Sequence, residues 1–146
     1  MGMISLASNA SAWRGYEYYE EKKVISYEQI NAEEYIGEVS GSFSNRYHVR
    51  INIAHPRTST CDCPHAEGRR IICKHKVALY FTAFPDEAKK YIDEIEKYEQ
   101  EEEERRETHL MDLVKYVKSL SKKELQEALL SALIELEEND SYHDYW

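Results

Sequence analysis

The stretch CDCPHAEGRRIICKH, residues 61 to 75, holds all three cysteines of the chain and two of its six histidines. Three thiols cannot pair off completely, and nothing at the N-terminus reads as a secretory leader, so the sequence predicts a reducing, cytoplasmic setting. There a metal cage or a catalytic thiol explains the cluster better than a disulfide. Cys61-x-Cys63 and Cys73-x-His75 offer two pairs whose side chains alternate along an extended or turning backbone. Four such donors suit one tetrahedral Zn2+. Nine residues separate the pairs, and Gly68 can bend that loop back on itself. His65 is a competing donor, two residues after Cys63; His75 is favoured because a helix start can orient it.

Four protein ligands leave no open coordination position, so the zinc is expected to be structural. A nucleophilic cysteine would need one thiol free of metal, and clustered thiols beside a Cys-x-His pair are better ligands. No catalytic residue, enzymatic activity or small-molecule substrate is therefore expected. A chain of 146 residues buries only a modest core, and a metal staple would stabilise it.

Around the cluster the patterning changes twice. Residues 22 to 54 are rich in Val, Ile and Tyr. The run NRYHVRINIA alternates Tyr47, Val49, Ile51 and Ile53 with His48, Arg50 and Asn52, as a half-buried strand does. GSFSN supplies a turn, so residues 34 to 54 read as a hairpin. After the cluster, Val77, Ala78, Tyr80, Phe81 and Phe84 have helical spacing up to Pro85. A charged helical stripe follows, then EQEEEERRE, a solvated extension or linker. Leu110, Leu113, Val114 and Val117 make one further amphipathic stripe. Ser121 to Glu124 reads as a capping box opening a last helix with Leu125, Leu129, Leu133 and Leu136 on its inner side. These two helices are expected to close as a helical hairpin.

The fold class predicted is α+β: a three-stranded antiparallel β-meander leads into a ββα zinc finger, followed by a helical C-terminal segment. The finger domain is assigned to residues 8–84, the acidic helical segment to 85–140 and a tail ending at Trp146 to 141–146. No stretch has the length and apolarity of a membrane span.

The net charge of −9 is unevenly placed. Residues 46 to 76 carry seven Lys and Arg against two Asp and Glu, whereas residues 77 to 146 carry nine against nineteen. Any contact with phosphates must therefore be local. Arg46, Arg50, Arg69, Arg70, Lys74 and Lys76, with Arg57 nearby, are the candidate residues for a nucleic-acid or protein partner, and Tyr47 or His48 could stack on bases.

The pattern C-x-C-x(n)-C-x-H, after a hairpin and running into a helix, resembles the SWIM zinc finger. WRGYEYYEEKKV is similar to the Arg-Gly-x-x-Tyr-Tyr lead-in of bacterial members, GEVSGS to their hairpin turn, YHVRI to their Tyr-x-Val strand and CKHKVALYF to their Cys-Lys-His-x-x-Ala helix. The resemblance implies that Cys61, Cys63, Cys73 and His75 hold one zinc ion. It also implies that the domain recognises DNA or proteins without chemistry of its own. No phosphate-loop motif is present, so no ATPase is encoded in these residues.

Overall fold

The computed structural model describes residues 2–143. They contain four strands and five α-helices: α1 (Met3–Leu6), α2 (Asn9–Glu20), β1 (Val24–Gln29), β2 (Glu34–Ser40), β3 (Arg46–Asn52), β4 (Thr60–Cys61), α3 (Lys74–Ala83), α4 (Pro85–Ser119) and α5 (Lys122–His143). The described chain divides into two compact units between Glu94 and Ile95.

In the first unit one antiparallel sheet runs in the order β1-β2-β3-β4. The predicted hairpin is β2 and β3, paired Tyr35 to Ile51, Gly37 to Val49 and Val39 to Tyr47. That register puts the alternate apolar residues of both strands on one face, and Val39, Val49 and Ile51 are buried there. Helix α3 lies against this face with Leu79 over Gly37, while Val77 and Phe81 turn toward α2; all three are fully buried. The α+β class holds, but the meander has four strands rather than three. It is also continuous with the finger, because the fourth strand carries Cys61. Only Thr60 and Cys61 form β4, paired with Arg50 and Val49. Two residues are too few to show a period, so tertiary bonds define the strand. Asp62 Oδ1 accepts from the His48 amide at 2.8 Å, and Ser59 Oγ accepts from the Asn52 amide at 3.0 Å.

Helix α2, which the sequence reading did not place, packs on α3. Ser8 caps it by accepting from the Ser11 amide at 3.1 Å. Gly15 allows the close approach: a Cβ there would lie 2.4 Å from Val77 Cβ. Tyr16 and Tyr19 from α2, and Tyr91 from the start of α4, surround Phe81 with ring centroids 5.3 to 6.1 Å apart.

The Glu-rich stretch is helical throughout, inside the uninterrupted 35-residue α4. Leu120 and Ser121 alone join α4 to α5, and the expected capping box is formed. The Ser121 amide donates to Glu124 Oε2 at 2.8 Å, and the Glu124 amide to Ser121 Oγ at 3.2 Å. The expected closed hairpin is not formed. Leu110, Leu113, Val114 and Val117 on α4 stay exposed, as do Leu125, Leu129, Leu133 and Leu136 on α5. Periodicity identifies an apolar face but not what covers it. Helix α5 continues to His143, past the start assigned to the tail; residues 144–146, with Trp146, lie outside the described residues. No helix among the described residues is long and apolar enough to cross a membrane.

Candidate metal centre

The cage is assembled from the end of β4, the loop that follows and the first turn of α3. Cys61 closes β4, and Cys63 starts a tight turn in which its carbonyl accepts from the amides of Ala66 and Glu67 at 3.1 and 2.9 Å. Gly68 then takes φ +70°, the left-handed conformation that glycine adopts without steric cost, and the loop returns. Cys73 is extended at the N-cap of α3, which leaves His75 in the first turn of the helix.

All three cysteines and His75 are buried, and one ligand atom from each lies within 4.8 Å of every other. His75 Nδ1 is 3.8 Å from Cys61 Sγ and 3.9 Å from Cys73 Sγ. Zinc bonds of about 2.3 Å to sulfur and 2.0–2.1 Å to nitrogen place tetrahedral ligand atoms roughly 3.5–3.8 Å apart, so the donors fit one ion with small adjustment. The chemistry of the set agrees. The Cys73 thiol is held below its ordinary range, chiefly by the hydrogen bond from Cys61. The same contact with Cys73 pushes Cys61 up, and burial pushes Cys63 up. Without a cation only one of three crowded thiols readily ionises; a divalent ion stabilises all three thiolates together. Cys61, Cys63, Cys73 and His75 are thus positioned to bind one zinc ion. When bound, it supplies a cross-link between β4 and α3 and no open coordination position for chemistry.

Second contacts fix this arrangement. The Tyr47 ring lies 4.6 Å and the Tyr18 ring 5.6 Å from the His75 ring, centroid to centroid. Gly41 leaves room for Tyr47, since a Cβ there would meet its ring at 2.3 Å. Lys76 is fully buried, and its ammonium donates to the Ile71 carbonyl at 2.6 Å. Burial pushes the Lys76 ammonium down while the three sulfurs oppose that shift. A Cys3His zinc centre carries one net negative charge, and Lys76 is placed to balance it. His65 is exposed and stands outside the ligand set.

The basic residues sort into three groups. Arg50 forms a two-bond fork with Glu34, at 3.0 and 2.9 Å, and Arg46 sits 3.7 Å from Glu38, so strand neighbours already occupy both. Lys76 is inside the core, and the Lys74 ammonium stands over the Tyr18 ring at 4.6 Å. Arg69 and Arg70 come together with Arg57 around a recess of about 380 Å3 that reaches Cys61 and is also lined by Thr58 and Thr60. Among the described residues none of these three guanidiniums has an acidic partner, in a chain with 28 Asp and Glu. A second recess, about 370 Å3, lies on the cage between α2 and the start of α3, and Arg14, His65 and Lys74 line it. Arg14 reaches this recess only because α2 packs beside α3, an arrangement that its aromatic sequence does not signal.

Residues 47–84, from the second residue of β3 to the residue after α3, match the family model of the SWIM zinc finger. No curated protein and no solved structure matches the chain.

Proposed function

We propose, on the premise that the chain carries a SWIM zinc finger at residues 47–84, that it is a non-catalytic recognition module whose zinc-held loop binds nucleic acid, DNA first. One observation carries this reading: Arg57, Arg69 and Arg70 converge, without carboxylate partners among the described residues, on one recess beside the cage. Guanidiniums left free of acids in so acidic a chain are available to phosphate oxygens, which they bind through two parallel bonds. Zinc holds the loop ends together, so little loop entropy is lost when phosphates dock. Its role is to present side chains and to stabilise them, with no bond made or broken.

The paired state of Arg46 and Arg50 narrows the interface to the loop and away from the open face of the sheet. Titration of a labelled duplex at two salt concentrations tests the reading. Affinity should fall steeply with salt, and each lost phosphate contact should reduce the logarithmic slope by about one. Absence of salt-sensitive affinity would remove nucleic acid as the partner. A protein partner is the second reading, favoured by Phe43. That ring is 98% exposed at the β2–β3 turn, on a left-handed backbone with φ 57°, where a bulky residue is unusual. Aromatic side chains presented in this way anchor protein interfaces.

A further inference from the structure

Residues 95–140 raise a separate problem. Twelve large apolar side chains on the C-terminal part of α4 and on α5 are between 37% and 61% exposed, and no side chain in this range is buried. Helices of this kind draw most of their stability from packing an apolar face. Closing α4 against α5 within one chain would cover only part of this surface. On α5, Leu125, Leu129, Leu133 and Leu136 form one stripe, and Leu130 and Ile134 lie to its other side at 100° per residue. On α4, Met111 and Tyr116 border the Leu110–Val117 stripe on opposite sides. Each helix therefore has apolar surface for two neighbours.

Charge decides which neighbours those are. Residues 105 to 118 of α4 carry four bases and two acids, whereas residues 124 to 140 of α5 carry six acids and no base. An α5 meets less repulsion beside an α4 than beside another α5. We propose that a second copy of this chain covers the surface, and that two copies form a four-helix bundle in which α4 and α5 alternate. Pairing then closes the hairpin that the single chain leaves open, and each α5 lies between its own α4 and that of the other copy. The connection through Leu120 and Ser121 is short enough for antiparallel neighbours. The exposed side chains offer on the order of 1,100 Å2 per copy, of which a closed hairpin takes about half; the rest is of the order of the roughly 800 Å2 per partner of a standard interface. Pairing would also give the assembly two zinc fingers, raising avidity for any extended partner.

Sedimentation velocity of the zinc-loaded full chain over a roughly hundredfold concentration range tests this. The wild type should approach twice the mass of one chain at the upper end, with far-UV helicity falling on dilution. Leu130→Gln with Ile134→Gln leaves the stripe of a closed hairpin intact; it should sediment as a single chain with unchanged zinc content. Met111→Gln should weaken association from the α4 side without affecting zinc. A single-chain mass for the wild type at every concentration overturns the proposal. So does a mass above two chains, or a double variant that still pairs as the wild type does.

Discussion

Residues 2–94 bury Val39, Ile51, Val77, Leu79 and Phe81 around a metal cage, while no side chain described between 95 and 140 is buried. Helix α5 is richer in strong helix formers than α2 or α3, so the difference is not propensity but what each helix finds to pack against. Helix α3 meets a sheet on one side and α2 on the other, with Gly15 opening the approach. Helix α5 has an equally continuous apolar surface and leaves it in solvent. An amphipathic pattern thus specifies a face that must be covered, and the topology specifies whether the same chain can cover it.

The largest effect expected from this contrast is the loss of zinc. Chelation, or Cys73→Ser, should unfold residues 2–94, because structural zinc contributes about 10 kcal/mol or more to small domains whose whole stability is of order 5–15 kcal/mol. Backbone amide dispersion should collapse for residues of the first unit. Self-association through 95–140 should survive, since no cage residue belongs to it. Simultaneous loss of both would show that the two regions fold as one.

Next comes Phe81→Ala. The ring is fully buried among Tyr16, Tyr19, Tyr80 and Tyr91. Its truncation should cost about 3–5 kcal/mol in chemical denaturation of the first unit. Leu113→Ala, an apolar truncation in the other region, should leave that transition unchanged and weaken association instead. Gly15→Ala follows. Its methyl would overlap Val77, and the expected cost is about 1–3 kcal/mol, read as a lower thermal midpoint with zinc still bound.

Several of these features could be read in the sequence, for a common physical reason. The ligand spacing, the alternation of β3, the start of α3 beside Cys73 and the Ser121–Glu124 capping box are short-range patterns. Each is fixed by residues within a turn or two of one another. Helix α2 was hidden because Tyr16, Tyr18 and Tyr19 favour strands and Gly15 disfavours helix. Its contact with α3 outweighs both preferences. Strand β4 is two residues long, and its existence depends on bonds to β3 from Ser59 and Asp62. The fate of the arginines was hidden for a third reason. Which acid stands beside Arg50 depends on strand register, and diagonal neighbours across a hairpin are not adjacent in the chain.

That last distinction gives the smallest expected effect, and it compares two arginines rather than two regions. Arg50 shares a fork with Glu34, which holds the Glu34 carboxyl below its ordinary range. A lowered carboxyl contributes stability above its unfolded pKa, and that contribution fades as pH falls through the lowered value. Arg50→Gln should therefore produce a slight loss of thermal midpoint at neutral pH that vanishes in acid, because the pair is solvent-exposed. It should not change oligonucleotide affinity, as its guanidinium is already engaged. Arg69→Gln should do the reverse: no change in thermal midpoint at any pH, and a salt slope shallower by about one. If the two substitutions weaken oligonucleotide binding equally, the open face of the sheet belongs to the interface. The guanidinium of Arg50 would then have to leave Glu34 to reach the phosphate.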